Sequence, residues 1–199
     1  MVSKEDVRIA SENWIRWIDV FEHKSSASSN ILLTSTDFWR KFLTEYALFR
    51  TIRANKNNEL REVLKSDSFG ISEMLSDETA RLFDMKETCL RQKFGTHDGN
   101  RAIISALSKV SAFLAPHAFT AWDKYARRGV DAANGTSHNF RIYSDYLDEI
   151  NSLLHGNLGK KVREACIGNY PTEYSKQNNR FDRRVLDVYL MRLGGRVFQ

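Results

Sequence analysis

The chain has 199 residues, of which 42% are hydrophobic, 12% aromatic and 28% charged. This apolar content excludes intrinsic disorder, and a chain of this length is expected to fold as a single domain. Two cysteines, Cys89 and Cys166, cannot build a disulfide scaffold. No stretch approaches the roughly 18 apolar residues of a membrane span, and the first residues are too acidic for a secretory signal. We therefore expect a soluble, cytoplasmic protein without membrane contact.

The formal net charge of +5 is distributed unevenly along the chain. Residues 1–100 carry 15 basic and 16 acidic side chains, whereas residues 101–199 carry 15 and 9. A basic half indicates a polyanionic partner, most simply nucleic acid. A solvated surface rich in lysine and arginine would give the same counts, so the charge leaves both interpretations open.

Apolar residues repeat with the 3.6-residue period of α-helices along most of the chain, and the alternation typical of strands is scarce. In chain order, these stripes and their end signals predict helices at about 4–23, 38–52, 57–65, 77–94, 100–114, 122–128, 143–154, 159–167 and 180–193. We expect Thr36 or Asp37 to cap the second helix and Ser76 the fourth. Gly129 is expected to end the sixth.

The three tryptophans Trp14, Trp17 and Trp39 lie on the apolar stripes and are assigned to the core. Neither an internal repeat nor a domain boundary is evident. The sequence therefore predicts an all-α fold, a single compact multi-helix domain over residues 1–199. Within it, residues 1–95 form the N-terminal helices and residues 96–199 the basic half.

Residues 105–129 carry the side chains best suited to chemistry. Lys109 lies among apolar residues of a predicted helix, and loss of water around an ammonium group lowers its pKa and frees the amine as a nucleophile. Asp123 follows fourteen residues later, at the start of a predicted helix where backbone N–H groups support a carboxylate. The residue before Pro116 disfavours helix, so the chain can reverse there and bring Lys109 and Asp123 into one cleft.

This pattern of Ser-Lys, an apolar run, Pro-x-x-Phe and Trp-Asp resembles bacterial 8-oxoguanine DNA glycosylase-like proteins of the helix-hairpin-helix glycosylase superfamily. The final segment resembles the family's terminal Arg-x-x-Asp/Glu helix through Arg184 and Asp187. The family has a Gly-hydrophobic-Gly hairpin before its lysine, and Ala106, Leu107 and Ser108 stand there in this chain.

The resemblance implies a helix-hairpin-helix glycosylase fold, with a catalytic lysine at the head of one helix and a catalytic aspartate near the head of the next. It assigns these roles to Lys109 and Asp123, in an N-glycosylase and lyase acting on a modified or damaged base or nucleotide, in DNA repair or anti-phage defence. The base pocket would be formed by three neighbouring residues, His117, Phe119 and Trp122. Phosphate contacts of nucleic acid, DNA being favoured, would come from six basic residues, Lys124, Arg127, Arg128, Lys160, Lys161 and Arg163.

Two other functions fit the sequence. Arg91 and His97 have the Arg-x5-His spacing of HEPN-type ribonucleases, in which both residues act at an RNA 2′-hydroxyl and phosphate. The second alternative is a non-enzymatic helical module that binds nucleic acid or protein. The C-terminal arginine cluster of residues 180–196 supports it. The scattered histidines and cysteines lack metal-ligand spacing, and we expect neither a metal nor another cofactor.

Overall fold

The computed structural model describes residues 1–21, 26–46, 48, 56–77, 80–94, 100–137, 140–168 and 178–198, with the backbone alone at 100–102 and 178–180. These residues form twelve α-helices and two short 3-10 helices, and none of them belongs to a strand. The first six helices are α1 (Lys4–Arg16), α2 (Ile18–Phe21), α3 (Ile31–Thr34), α4 (Thr36–Glu45), α5 (Asn57–Lys65) and α6 (Ile71–Ser76). The other six are α7 (Arg81–Phe94), α8 (Asn100–Leu114), α9 (Lys124–Asn134), α10 (Tyr143–His155), α11 (Asn157–Cys166) and α12 (Asn178–Leu193).

The prediction of an all-helical chain is confirmed, and several predicted ends are corrected. The first predicted helix is divided at Trp17, whose fully buried indole packs edge-on against Phe42 and Phe113. The cap of α4 is Ser35, which accepts a hydrogen bond from the backbone N–H of Phe38, so neither predicted residue caps this helix.

Ser76 does not cap the helix that follows it, because it is the last residue of α6. The next carboxylate takes over part of that role, since Asp77 accepts a hydrogen bond of 2.7 Å from the backbone N–H of Leu82 in α7. The helices predicted at 57–65 and 100–114 coincide with α5 and α8. Of the helices described, none combines the length and the apolar character that a membrane span needs.

Gly129 does not end its helix, because α9 continues through it to Asn134. It stands where α9 packs most closely on α12, and a Cβ atom on it would come within 1.9 Å of the carbonyl oxygen of Leu190. Gly194 makes a similar approach to Tyr125. Glycine is therefore required at these two positions so that the backbones can pack closely, and Gly129 is not a helix-end signal.

Most of the described apolar side chains form one buried cluster, which includes all three tryptophans assigned to the core. The two ends of the chain meet at its edge. Asp6 is fully buried and accepts hydrogen bonds of 2.7 and 2.9 Å from Arg192, while it also closes the capping box of α1 with Ser3. This ion pair holds the start of α1 against the end of α12, and those two helices supply much of the cavity described below.

We predict that Gly129→Ala lowers the free energy of unfolding by about 3 kcal/mol or more, because the added methyl group must separate α9 from α12. In an exposed helix the same change would add about 1 kcal/mol of stability. Gly135→Ala is the control: its φ of +66° is strained for alanine but open space surrounds it, so a loss of about 1 kcal/mol is expected. Urea unfolding measures both, and a stabilising Gly129→Ala would contradict this packing.

Candidate active site

The connection between α8 and α9, residues 115–123, is non-helical and largely buried. Buried backbone groups need partners, and side chains from two helices supply them here. Tyr143 Oη accepts from the N–H of Thr120 at 3.0 Å and donates to its carbonyl at 2.5 Å. Arg183 donates to the carbonyl oxygen of His117 at 3.1 Å and to Thr120 Oγ1 at 3.3 Å. The connection therefore has a defined path across the face of α8.

One further hydrogen bond fixes the end of the connection between α8 and α9. The backbone N–H of Trp122 donates to Ser108 Oγ at 2.8 Å, and Ser108 is fully buried. Ser108 immediately precedes Lys109, and Trp122 immediately precedes Asp123. This bond joins α8 to the connection at the positions next to Lys109 and Asp123, and both of these residues line one cavity.

Lys109 is 8% exposed, an unusual environment for an ammonium group. Its Nζ donates a hydrogen bond of 2.6 Å to Ser105 Oγ, one turn earlier on α8. Burial lowers the pKa of Lys109, the carboxylates of Asp123 and Asp187 act against this, and the charge of Arg196 lowers it further. Desolvation is the dominant effect, so the neutral, nucleophilic form is more populated than in an exposed lysine.

Asp123 lies at the start of a helix as predicted, but α9 begins two residues later than expected and Asp123 is its N-cap. Its Oδ1 accepts a hydrogen bond of 2.8 Å from the backbone N–H of Tyr125. The capping bond holds the carboxylate in one orientation at the positive end of the helix dipole. Among the described residues, Asp123 and Lys109 form no direct ion pair, although the Asp123 charge acts on the lysine. The space between them belongs to a cavity.

Lys109 and Asp123 line the same open cavity, which has a volume of about 250 Å³. Its walls come from α1, the end of α4, α8, the connection between α8 and α9, α12 and the segment after α12. The charged and polar residues that line it are Arg8, Glu12, Asn13, Arg16, Glu45, Tyr46, Lys109, Asp123, Arg184, Asp187 and Arg196. Five basic and four acidic side chains are among them, so acidic and basic groups face each other across a small volume.

Asp187 is the most deeply buried acid of this cavity, at 2% exposure. Burial raises the pKa of Asp187 to about 6, although its Oδ2 accepts a hydrogen bond of 2.6 Å from Arg184. Its Oδ1 is buried without a hydrogen-bond partner among the described residues, as is Oδ1 of Asn13, another lining residue. Two residues of the wall therefore each hold a buried oxygen without a hydrogen-bond partner among the described residues, which costs free energy in this part of the fold.

The structure does not bring the predicted base-pocket residues to this cavity. Phe119 packs in the core against Phe83 and Tyr143, and Trp122 packs against Tyr143 and Tyr146. His117 is exposed on the turn after α8. None of the predicted three lines the cavity as the described residues outline it.

The six predicted phosphate-contact residues also lie outside the cavity. Lys124 and Arg128 are exposed on α9, and Arg127 lies half-buried with its guanidinium over the Trp122 ring at 4.6 Å. The three on α11 are exposed, namely Lys160, Lys161 and Arg163. The basic groups that do line the cavity include Arg8 and Arg16, which the sequence did not single out.

Lys109 departs from the position that the family resemblance implies. It lies in the interior of α8, nine residues after the helix begins, and not at a helix head. The amides of Ala106, Leu107 and Ser108 belong to the same continuous helix, so they form no hairpin that could bind a phosphate. The position of Asp123 at the head of α9 does agree with the resemblance.

The ribonuclease hypothesis rests partly on His97, which lies outside the described residues. Its partner Arg91 forms an ion pair with buried Glu87 on the same helix. Within the described ranges, no group of three or more histidine, cysteine, aspartate and glutamate side chains is placed to hold a metal ion. Comparison of the chain with protein-family models, with curated proteins and with solved structures found no match in any of the three.

We predict that Ser108→Ala lowers the free energy of unfolding by about 1–3 kcal/mol, because the buried N–H of Trp122 loses its acceptor. Ser111→Ala is a matched control on the same helix. Ser111 is equally buried, but its hydroxyl has no hydrogen-bond partner among the described residues. Urea unfolding followed by tryptophan fluorescence measures both, and equal losses would remove Ser108 from its positioning role.

We predict that the Lys109 amine titrates below the 10.5 of an ordinary lysine. The rate at which an amine-directed reagent labels Lys109 is measured at a series of pH values by peptide mass spectrometry. The pH at half of the maximal rate reports the pKa and does not depend on how fast the maximal rate is. The same peptide labelled in the urea-unfolded chain is the control. Asp187→Asn removes a charge that raises this pKa, so the midpoint should fall, and Arg196→Gln should move it upward. Equal midpoints in folded and unfolded chains would contradict the burial argument.

Proposed function

We propose that the chain is a DNA glycosylase-like enzyme that breaks the N-glycosidic bond of a nucleotide, within DNA or free, through the amine of Lys109 and the carboxylate of Asp123. One observation carries the proposal: a desolvated primary amine and a helix-capping carboxylate lie in the wall of the same cavity. The resemblance of residues 105–129 to 8-oxoguanine DNA glycosylase-like proteins supports the same chemistry.

The neutral amine of Lys109 attacks C1′ of the sugar, and the bond from C1′ to the base nitrogen breaks. Its electron pair leaves with the base, which takes up a proton. The secondary ammonium at C1′ loses a proton, the ring opens as O4′ is protonated, and a Schiff base remains on Lys109. Asp123 stabilises the positive charge that develops at C1′ while the base departs. Its capping bond to Tyr125 holds it in place for that role.

The dimensions of the cavity favour a single nucleotide as its occupant. Pockets for small molecules measure roughly 300–1,000 Å³, and about 250 Å³ lies just below that range. A base in a duplex must therefore leave its stack before its sugar can reach Lys109, at a cost of a few kcal/mol. A single strand or a free nucleotide avoids that cost.

The exposed basic residues on α9 and α11 extend the proposal to longer nucleic acids. Lys124, Arg128, Lys160, Lys161 and Arg163 lie outside the cavity, where they can contact only the flanking strand. A protein that used these residues alone would be the non-enzymatic binding module. It would bind nucleic acid with a steep salt dependence and form no covalent intermediate.

A borohydride trap tests the enzyme. An oligonucleotide with an aldehydic abasic site makes the test independent of the base, because hydride reduces any Schiff base at C1′ to a stable adduct. We predict an adduct on Lys109 in the wild-type chain and at least about a tenfold loss in Lys109→Met, which keeps an unbranched side chain at this buried position.

Asp123→Asn should still trap, because the base has already left this substrate and the carboxylate acts only while the base departs. The helix stays capped, because asparagine caps as well as aspartate. Lys4→Gln is the matched control, since it removes an exposed lysine that lies outside the cavity and outside the proposed strand contacts, and it should trap like the wild type. Peptide mapping identifies the modified residue. An adduct that persists in Lys109→Met, or that maps to another lysine, would refute this assignment, and binding without any adduct would favour the binding module.

A further inference from the structure

The last helix ends in a turn that sends the chain back over the cavity. Gly195 has a φ of +94°, and its N–H donates to the carbonyl oxygen of Arg192 at 3.0 Å. The N–H of Arg196 donates to the carbonyl oxygen of Met191 at 2.9 Å. These two bonds form a Schellman motif, which requires a left-handed residue that glycine adopts without strain. As a result, Arg196 and Phe198 line the cavity together with residues of α12.

Arg196 differs from the other arginines of the cavity in its partners. Arg8 pairs with Glu5 and Glu12, Arg16 with Glu45, and Arg184 with Asp187. Arg196 has no carboxylate partner among the described residues. Its Nη1 donates to the thioether sulfur of Met191 at 3.2 Å, which is a weak acceptor, and its guanidinium carbon lies 5.2 Å from the centre of the Phe198 ring. Neither contact places a carboxylate on the N–H donors of Arg196.

Arg196 lines the same cavity as Lys109 and Asp187. Its charge acts on both Lys109 and Asp187. The residue itself is exposed, so it stands at the mouth while Lys109 and Asp187 lie deeper. An anion bound to Arg196 would therefore remain partly in water while the uncharged part of the same ligand extends inward.

We propose that Arg196 is the phosphate-binding residue of this cavity, and that the ligand is a phosphorylated nucleoside whose phosphate lies at the mouth and whose sugar reaches Lys109. The inference rests on the proposed function for the identity of the sugar. A planar guanidinium binds two oxygens of a phosphate at once, which a single ammonium does not do. Since the amides before Lys109 lie within α8, they cannot take this part.

The deeper wall fits the rest of such a ligand. Asn13, Tyr46 and Asp123 line the cavity, and their side chains can exchange hydrogen bonds with the hydroxyl and amino groups of a nucleoside. The phosphate can be a monoester of a free nucleotide or a diester of a strand, because both present the oxygens that Arg196 binds. The experiment therefore has one arm for each source.

Binding is measured by calorimetry for the four deoxynucleoside 5′-monophosphates against the matching deoxynucleosides, and for an 11-nucleotide strand with a central tetrahydrofuran abasic analogue. Each nucleotide pair differs in the phosphate alone. In the wild-type chain we expect at least one monophosphate, or the strand, to bind more tightly than the phosphate-free compounds. Arg196→Gln should weaken that probe about tenfold, as loss of a charge-assisted contact does, and should leave the deoxynucleosides unchanged.

For the strand, the slope of log affinity against log salt should fall by about 0.7 in Arg196→Gln. Arg40→Gln is the matched control, because it removes the same charge from an exposed position on α4 outside the cavity. Tighter binding of a monophosphate than of the strand identifies a free nucleotide as the source, and the reverse order identifies a strand. Unchanged affinity in Arg196→Gln, an equal loss in Arg40→Gln, or no gain from phosphate in the wild type would each overturn the assignment.

The borohydride trap separates this failure from failure of the proposed function. An adduct on Lys109 together with phosphate binding that ignores Arg196 would remove the phosphate site and leave the glycosylase chemistry standing. Phosphate binding that depends on Arg196 without any adduct on Lys109 would leave a nucleotide-binding cavity and remove the chemistry.

Discussion

The candidate site depends on the hydrogen bond from the Trp122 N–H to Ser108 Oγ. A non-helical segment can cross a protein interior only if its backbone groups find partners, and this segment finds them in Ser108, Tyr143 and Arg183. Because Ser108 and Trp122 each precede a charged residue, satisfying one buried amide also sets Lys109 beside the cavity that Asp123 lines. The position of the amine relative to the carboxylate is thus a consequence of core hydrogen bonding.

The same interior explains which features of the fold were predictable. The ends of α5 and α8 follow from local signals, and Pro116 does end the helix before it. Gly129 was wrongly predicted to end α9, because the reason for a glycine there lies in a contact with α12 more than sixty residues away. The first helix is interrupted at Trp17, whose buried indole packs against Phe113 of α8. The local sequence pattern contains neither of these contacts between distant segments.

The residues of the candidate site were likewise predictable only in part. Lys109 and Asp123 could be predicted because both lie in one short segment with a proline turn between them, and the cavity contains both. Phe119 and Trp122 were assigned to a base pocket because they are close in sequence, but their rings belong to the core. Arg8 and Asn13 were missed, since their helix resembles any amphipathic surface helix until α12 packs against it. Arg184 and Asp187 were named only through the resemblance, and in the structure they form an ion pair and both line the cavity.

The position of Lys109 within α8 has a consequence for how any phosphate is bound. A lysine at the head of a helix has free backbone N–H groups beside it, and such groups bind phosphate directly. Lys109 is too far from the start of α8 for this, because the amides around it are used within the helix. Side chains must therefore supply the positive charge, and of the cavity arginines Arg8, Arg16 and Arg184 are already paired with carboxylates. The glycine turn after α12 places Arg196 at the mouth of the cavity, where it can bind the phosphate.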